Sequence, residues 1–594
     1  MKFEILYNEL VEQLKCERNE YGFWSGHLAS SALSTAVAIV ALKINKHSTD
    51  QDIIEAGLHW LIANQNADGG YGDTPESVSN ISTTLLCYAA LFYCGAENAA
   101  SVLALQKINN YLAQHNIDLT KGNVTGSVLS FYGKDFTFSV PILSMLVICG
   151  VLDQHACSKI PQLPFEFTLL PARLYNFFNL RMVSYALPAL IGVGIFIFKT
   201  NNLKNPLLRW IRNRSVKPAV RKLESIVPES GGFLEAIPLT AFVSMCLQAS
   251  GIGNNSVVTK GLDFFCQQQR TDGSWPIDTD LSTWVTTLSI KALGQQLPVC
   301  FPDDDREKLK LHLKSIQYKA VHPFNLAQPG GWGWTNYPGS VPDVDDTSGA
   351  ILALLELYQA NRHDEDPIIN GCRWLIGLQN SDGGFPTFCK GWGRLPFDSS
   401  CADLTGHAML AMAKSLAMVG YQMPTGLKKA IHKSLSDALN YLSKHQYNGC
   451  WFPLWFGNQY SVQQKNPVYG TAKVSVYLLD LLSLVLPDQD LNRNIEMMLE
   501  NARTYLLAQQ NTDGSWGAEA GVRGSSEETA LAVAALVHYD MAASYKGLEW
   551  IENNYRKNGM HSEPIGLYFA LLWYDEKLYP LIYSIEALRR LLYR

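Results

Sequence analysis

The sequence predicts an all-α protein built from pairs of helices. Apolar residues recur at helical spacing in long stretches of the chain, for example at Ile351, Leu354, Leu355 and Tyr358. Alternation of apolar and polar residues with β-branched side chains, which would indicate strands, is nearly absent. A short phrase that returns along the chain indicates that the helix pairs repeat one unit.

The repeated phrase consists of a glutamine, a polar turn with glycine and an aromatic residue. Each copy follows one apolar helical stretch and precedes another. The glycine can adopt the positive φ that ends a helix, the glutamine can bond free backbone groups, and the ring can pack on the next helix. We therefore interpret the phrase as a structural clamp between helix layers. The copies are QNADGGY (65–71), QRTDGSW (269–275), QNSDGGF (379–385) and QNTDGSW (510–516), with looser ones at QPGGW (328–332) and QYNGCW (446–451).

Length and composition narrow the class of protein. The 594 residues exceed one ordinary domain, so two large domains or a repeat architecture are expected. The net charge of −6 gives no reason to expect nucleic acid binding. The 12 cysteines show no metal-ligand spacing, and the acidic N-terminus does not resemble a secretory signal, so a reduced cytoplasmic protein without metal or cofactor is expected.

An apolar segment is followed by a basic one. Val183–Phe198 is uncharged, but it contains Pro188 and is shorter than the ~20 residues of a spanning helix. Residues 199–222 then contain eight Lys or Arg and no acid. This pair predicts a surface that dips into one leaflet and binds anionic head groups, on the cytoplasmic side of a membrane. The alternative is a buried helix followed by a solvated loop.

Three carboxylates, Asp343, Asp345 and Asp346, directly precede an apolar helix. Acids are common there because they cap the helix and interact favourably with its dipole. Three close carboxylates also repel, so one is expected to keep its proton at neutral pH and to serve as a general acid. Asp403 and His407 lie one turn apart on another predicted helix, so this imidazole could reach the acid; a core histidine is the alternative.

Together these motifs resemble the squalene–hopene cyclase family. PDVDDTS (342–348) is similar to the DxDD motif of that family, and the repeated phrase is similar to its QW motif. DxDD alone would be a weak signal, but its combination with several QW copies is specific. The similarity covers nearly the whole chain and includes GGFLEAIPLTAFVSM (231–245), DGSWPID (272–278), DGGFPTFCKGWGRLPFD (382–398) and VYGTAKV (468–474).

The resemblance implies a fold of two α/α barrels with a central cavity. Residues 16–275 would form one barrel, and residues 1–15 with 276–594 the other. The implied activity is that of a class II terpene cyclase, which protonates the terminal alkene of a linear polyprenyl substrate and drives cationic cyclisation. The substrate would be squalene-like or, as in relatives similar to merosterolic acid synthase, a prenylated aromatic acid. The family also implies a monotopic membrane surface, and its members are often dimers.

The resemblance further assigns roles to individual residues. Asp345 would be the proton donor, and Asp343 and Asp346 would tune and orient it. His407 would donate a hydrogen bond to the donor and sharpen its acidity, with Asp403 holding that histidine.

Aromatic residues complete the implied site, because their faces stabilise carbocations without reacting with them. Tyr469 would lie near the acid on a water path that returns its proton. The sequence departs from the family at Val285, where an aspartate is usual, and in the aromatic cluster at 563–580, which leaves the substrate and the quenching step open. The matching cavity positions are Tyr185, Trp284, Trp334, Phe388, Trp455 and Tyr568.

Three alternative functions stay open at this point. A class I terpene synthase would use metal-bound acids, and residues 303–307 (DDDRE), in a polar loop, superficially fit such a motif. A protein prenyltransferase subunit also uses α/α barrels, but it needs zinc ligands, and no convincing set is present. A non-catalytic helical scaffold would need neither clustered carboxylates nor cavity aromatics.

Overall fold

The computed structural model describes residues 2–45, 51–95, 98–119, 124–132, 136–170, 183–201, 203–359, 365–393, 395–484, 489–568 and 571–593. Across these ranges the protein is all-α, as predicted, and only two short strand pairs interrupt the helices. The helices are α1 Lys2–Cys16, α2 Ala32–Asn45, α3 Gln51–Ala63, α4 Ile81–Cys94, α5 Ala99–Gln114, α6 Val124–Tyr132, α7 Phe136–Ile148, α8 Val183–Thr200, α9 Pro206–Ile226, α10 Ile237–Ala249, α11 Ser256–Gln268, α12 Ser282–Leu293, α13 Leu297–Cys300, α14 Asp303–Ser315, α15 Val344–Glu356, α16 Glu365–Leu378, α17 Ala402–Val419, α18 Thr425–Lys444, α19 Pro467–Leu482, α20 Gln489–Ala508, α21 Ser526–Leu536, α22 Met541–Asn558 and α23 Tyr579–Leu592. The strands are β1 Ser30–Ser31, paired with β2 Trp275–Pro276, and β3 Gly566–Tyr568, paired with β4 Leu572–Tyr574.

In the N-terminal half, the helices α2, α4, α7, α8 and α10 pack side by side in a ring. Helices α3, α5 and α11 pack against the outside of α2, α4 and α10. The ring helix α2 buries every residue from Ala32 to Leu42, whereas the outer helix α11 buries one face only. This pattern is expected for two concentric layers of helices, in which the inner helices are buried on all sides and the outer helices on one side only.

The C-terminal half contains a second ring, of α12, α15, α17, α19, α21 and α23, which closes because α23 packs on α12. Helices α16, α18, α20 and α22 cover α15, α17, α19 and α21 from outside. Helix α1 covers α23, so the N-terminal helix lies on this second ring.

The repeated phrase forms the clamp that the sequence predicts. Gln379 donates from Nε2 to the carbonyls of Gly383 at 2.8 Å and Ser434 at 2.9 Å, which ties its own turn to a neighbouring helix. Gly383 has φ +90°, and a Cβ there would lie 2.3 Å from a backbone oxygen of α18, so only glycine fits. The clamp tryptophans are fully buried and donate from Nε1 to a preceding helix: Trp275, Trp332, Trp451 and Trp516.

The looser copy at 328–332 uses a different glutamine from the predicted one. Gln317, just after α14, donates to the carbonyls of Gly330 at 2.8 Å and Pro367 at 2.9 Å. Gln328 is exposed in the intervening loop. The assignment of Gln328 was therefore wrong, because the loop between glutamine and aromatic is longer in this repeat than in the others.

The apolar segment Val183–Phe198 forms most of α8 and packs into the first ring. Ile191, Val193, Ile195 and Ile197 are fully buried, and the basic segment that follows forms α9 instead of a loop. A membrane-facing apolar surface would therefore have to come from other residues. Within the described ranges, no helix combines the length and apolar character needed to cross a membrane.

Candidate active site

The acid cluster, defined as Asp343, Asp345 and Asp346, lies at the start of α15 on the second ring. An antiparallel bridge to Trp332 holds Asp343 in extended backbone, and its carboxylate caps the helix by accepting the amide N–H of Asp346 at 2.8 Å. Asp343 and Asp346 are buried, whereas 22% of the Asp345 side chain is exposed. Asp343 is thus the helix cap, and Asp345 is the accessible carboxylate of the cluster.

Asp345 is paired with a histidine of the neighbouring ring helix α17. Its Oδ1 lies 2.5 Å from Nδ1 of His407, which is almost completely buried. The imidazole stacks on Tyr477, with ring centroids 4.7 Å apart, and meets Trp284 edge-on at 6.1 Å. Burial lowers the pKa of His407, and the hydrogen bond to Asp345 opposes that effect. The structure therefore brings together the acid and the histidine singled out in the sequence.

Burial favours the protonated form of the other two carboxyls of the acid cluster, Asp343 and Asp346. Burial raises the pKa of Asp343 to about 8, and the charge of Asp345 adds to the shift. Burial also raises the pKa of Asp346 well above its ordinary value, with the charge of Asp343 as the second cause. Repulsion within the cluster contributes as expected, but burial is the larger cause.

Asp403 makes a different contact from the one that the resemblance implies. It lies in the first turn of α17, where its Oδ1 accepts a hydrogen bond from Sγ of Cys401 at 2.6 Å. Nε2 of His407 has no hydrogen-bond partner among the described residues. Burial raises the pKa of Asp403 to about 6, and the charge of Asp345 contributes. Asp403 therefore acts on the acid pair through its charge and does not hold the imidazole.

Tyr469 belongs to a group of buried phenols beside the acid pair. It stacks on Phe456 with centroids 4.0 Å apart, and its oxygen lies 3.5 Å from that of Tyr583 on α23. Tyr579 also lies on α23, and its hydroxyl accepts a hydrogen bond from Nε1 of Trp284 at 3.1 Å. Sequence reasoning included Tyr579 in the altered aromatic cluster at 563–580 without assigning it a role, and it missed Tyr583, which lies beyond that cluster.

Four of the six predicted cavity aromatics form one connected group. Tyr185 lies 5.1 Å from Phe388, and Phe388 meets both Trp334 and Trp455 edge-on at 6.1 Å. Phe397, which the sequence did not single out, stacks on Tyr185 at 5.0 Å. Trp334, Phe388 and Trp455 are only half-buried, which indicates accessible space beside their rings.

The other two predicted aromatics lie elsewhere. Trp284 belongs to the surroundings of His407, and Tyr568 packs edge-on against Tyr574 at 5.1 Å. Tyr574 in turn shares a hydrogen bond of 3.2 Å with Tyr579, the partner of Trp284. Tyr568 is therefore linked to the acid pair through a chain of aromatic side chains.

Lys473 is a buried cation that sequence reasoning missed. It lies on α19 one turn after Tyr469 and one turn before Tyr477, and it is 4% exposed. Residues four apart share one helix face, so a lysine between two tyrosines on one face of a largely apolar helix was the signal that could have found it.

The acidic run at 303–307 begins a helix and does not form the predicted polar loop. Asp303, Asp304 and Asp305 occupy the first turn of α14, where acids interact favourably with the helix dipole. Asp305 pairs with Arg18 at 3.0 Å, and Asp303 pairs with Arg306. These contacts give the run a structural role at the surface.

The fold and the site together define an all-α protein of two helical rings with a partly buried aspartate–histidine pair on the second. The squalene–hopene cyclase N-terminal domain matches residues 8–113, and the squalene–hopene cyclase C-terminal domain matches residues 322–571. The chain therefore belongs to the squalene–hopene cyclase family. The C-terminal match contains the acid cluster and His407.

Individual relatives are distant in sequence. The chain is 24% identical to enfumafungin synthase of Hormonema carpetanum over 94% of this chain, but it spans only 46% of that protein. It is 25% identical to a probable squalene–hopene cyclase of Sinorhizobium fredii over 93% of this chain and 90% of that protein. Its fold is similar to that of the ent-copalyl diphosphate synthase from Streptomyces platensis, with a TM-score of 0.58, 16% identity and coverage of 100% and 99% of the two chains.

Proposed function

We propose that this protein is a class II terpene cyclase, which protonates the terminal alkene of a linear polyprenyl substrate and guides the resulting cation into rings. The observation that carries the proposal is the 2.5 Å contact between Asp345 and His407, with Asp345 as the accessible member of the acid cluster. The aromatic group around Phe388 supports it, because aromatic faces stabilise carbocations without forming bonds to them.

In the proposed first step, the proton of Asp345 moves to a terminal alkene carbon. One O–H bond breaks and one C–H bond forms, which leaves a carboxylate and a tertiary cation. An alkene is a very weak base, so the step requires a dry site and a partner that stabilises the carboxylate. A neutral His407 that donates from Nδ1 to Oδ1 of Asp345 would leave Oδ2 to carry the transferable proton. A class I synthase or a non-catalytic scaffold would not need this aspartate–histidine pair.

Two substrate classes follow from this proposal, a squalene-type triterpene precursor and a polyprenyl chain attached to an aromatic acid. The test is incubation of detergent-solubilised protein with squalene and with a geranylgeranyl dihydroxybenzoate, without added metal, and analysis of the products by mass. We expect an isomeric or hydrated product from one of them.

Asp345→Asn should abolish this product, whereas Asp303→Asn, the same change on the surface of α14, should leave it. Conversion that is equal in the wild type and in Asp345→Asn would contradict the assignment of Asp345. Conversion that depends on Mg²⁺ and releases diphosphate would favour the class I alternative.

We further propose that α9 and the 3-10 turn Phe165–Leu169 form a membrane-binding surface, in line with the apolar substrates proposed above. Arg212 of α9 and Glu166 of the turn form an ion pair at 3.0 Å that joins the two elements. Exposed apolar side chains project from both: Phe167, Leu169, Leu207, Trp210 and Ile211. Basic side chains of α9 surround them, an arrangement typical of peripheral binding to anionic lipid.

Flotation with vesicles that contain anionic phospholipid tests this surface. Leu207→Ser together with Trp210→Ser should reduce the bound fraction several-fold, since about 0.8 kcal/mol is lost per CH₂ no longer buried in the membrane. Trp392→Ser, at another exposed tryptophan, is the matched control. Equal binding of all three proteins would contradict the proposed surface.

A further inference from the structure

Lys473 places an ammonium group inside the second ring, where a charge needs compensation. Its Nζ lies 5.5 Å from the ring centroid of Trp284, 5.3 Å from that of Tyr477 and 5.6 Å from that of Tyr583. These rings come from three helices, α12, α19 and α23. The cation–π attraction between the ammonium group and these three rings is stronger than it would be in water, because the site is desolvated.

The rings that hold Lys473 also hold the proposed acid pair. Tyr477 stacks on the imidazole of His407, and Trp284 meets that imidazole edge-on. The same imidazole contacts Asp345 at 2.5 Å. The ammonium therefore lies behind the acid pair and shares two of its aromatic neighbours.

Charged groups on four helices of the second ring act on Lys473. Asp345 of α15, Asp403 of α17 and Glu586 of α23 favour its charged form, whereas burial and the charge of Lys291 on α12 disfavour it. The result is a pKa of Lys473 lowered to about 8 when Asp345 is ionised.

Lys291 has its own counter-charge, because it pairs with Glu586 at 2.8 Å. Lys473 and Lys291 also help to lower the pKa of His407, after burial as the largest cause. Burial and the two lysines thus favour the neutral imidazole.

We propose that Lys473 is a positioning residue whose ammonium stabilises the Asp345 carboxylate once the proton has moved to the alkene, while His407 stays neutral and orients the acid. This inference rests on the proposed cyclase function. The proton comes from Asp345 alone, and neither His407 nor Lys473 changes its protonation in the step. A fixed cation aimed at the charge that develops is the usual form of electrostatic catalysis.

The proposal predicts a specific pH profile of kcat. As pH rises through about 8, Lys473 loses its charge, which should add a fall in the wild-type kcat to the one caused by ionisation of the proposed acid. Lys473→Gln should lower kcat by about 10²-fold at neutral pH and should lack this fall. Lys473→Arg, which keeps the charge, should recover much of the rate and move the fall to higher pH.

Lys310→Gln is the matched control, because Lys310 is a buried lysine that pairs with Glu307 at 2.8 Å on α14. This variant should keep the wild-type rate and profile. A Lys473→Gln enzyme with the wild-type rate and the wild-type fall near pH 8 would overturn the proposal.

An NMR titration of the intact protein tests the electrostatic part without any substrate. With ¹³C-labelled lysine, one side-chain resonance that is absent in Lys473→Gln should titrate near pH 8. With ¹⁵N-labelled histidine, His407 should be neutral with the proton on Nδ1, and its pKa should rise in Lys473→Gln. A lysine that titrates near its ordinary ~10.4, or a charged His407, would overturn the proposal even if cyclisation is found. Failure of cyclisation with the predicted titrations would contradict the proposed function alone.

Discussion

Two groups of buried carboxyls in this protein differ in the partners that surround them. In the acid cluster, Asp345 is accessible and contacts His407, with Lys473 behind that pair. In the second group, defined as Glu235, Asp278 and Asp280, Asp278 is fully buried, and neither of its oxygens has a hydrogen-bond partner within the described ranges.

The remaining carboxyls of the second group stabilise loops. Glu235 accepts the hydroxyl of Ser230 at 2.7 Å and the amide of Gly339 at 2.6 Å. Asp280 accepts the hydroxyl of Thr335 at 2.5 Å. Burial raises the pKa of Asp278 well above its ordinary value and that of Glu235 to about 7.

The two groups illustrate the difference between a carboxyl that keeps its proton and a carboxyl that can give its proton up. Burial alone keeps a carboxyl protonated and therefore makes it a weak acid. An acid that must protonate an alkene also needs neighbours that stabilise its carboxylate, and only the acid cluster has an imidazole and an ammonium group in place. Burial explains the pKa values of Asp343, Asp346 and Asp278 alike, so the partners of Asp345 are what distinguish the proposed site.

The largest expected effect is the difference in activity between Asp345→Asn in the acid cluster and the same substitution at Asp278 in the second group. Asp345→Asn should lower conversion by at least about 10³-fold, since it removes the proposed proton donor. Asp278→Asn should stay within about tenfold of the wild type, because only the neutral groups of Tyr568 and Trp334 oppose the effect of burial on the pKa of Asp278. Both are measured as product formed per folded protein, with near-UV circular dichroism as the control for folding. Equal losses of conversion in the two variants would contradict the proposed difference between the two groups of carboxyls.

Removal of the imidazole should have the next largest effect. His407→Phe keeps a ring that can stack on Tyr477 but removes the hydrogen bond to Asp345, so kcat should fall by about 10²-fold with little change in KM. Tyr477→Phe is a matched variant that keeps the stacked ring and should retain most of the activity. A His407→Phe enzyme with the wild-type kcat would show that Asp345 needs no partner.

The second group should instead affect the pH dependence of stability. Glu235 binds its proton more tightly in the folded state than in the unfolded state, so the wild type loses stability as pH rises from about 4.5 toward 7. Glu235→Gln removes this loss, and its free energy of unfolding relative to the wild type should rise by on the order of 2 kcal/mol between pH 5 and pH 8. Urea unfolding at both pH values measures it. The surface variant Glu500→Gln should show no such change, and an equal difference at both pH values for Glu235→Gln would contradict the account.

The smallest expected effect is on stability and concerns the clamp formed by Gln317, away from both groups of carboxyls. Gln317→Ala leaves the carbonyls of Gly330 and Pro367 without their shared donor, at a cost of about 1–3 kcal/mol in the free energy of unfolding. Gln328→Ala removes an exposed side chain and should be nearly neutral. The two variants are compared by thermal unfolding, and the opposite order would restore the original assignment of this repeat.

Much of the fold could be predicted because its signals are local in the sequence. The clamp needs a glutamine, a glycine and an aromatic residue close together, so Gln379 and Gly383 could be assigned from spacing alone. The same reasoning failed at Gln317, where a longer loop separates the members of the clamp. Val183–Phe198 also could not be placed, because an apolar segment looks the same whether it packs against protein or lipid.

The site was predictable only where a motif marks it. The acid cluster and His407 were recognised from their motif and helical spacing, and the structure adds the contact between them. Lys473, Tyr579 and Tyr583 lie far from the acid cluster in sequence and reach it only when the second ring closes. The predicted bond between Asp403 and His407 failed for a related reason, since Cys401 competes for that carboxylate within the same helix turn.

Isotope incorporation from solvent tests the central claim most directly. Protein equilibrated in D₂O exchanges the acidic proton of Asp345, so over many turnovers the proposed reaction places one deuterium on the former CH carbon of the terminal alkene, next to the carbon that becomes the tertiary cation. We predict a product with one deuterium at the carbon that was the CH carbon of the terminal alkene, and no such product from Asp345→Asn. A cyclised product without deuterium at that carbon, or the same labelled product from Asp345→Asn, would contradict protonation of the alkene by Asp345.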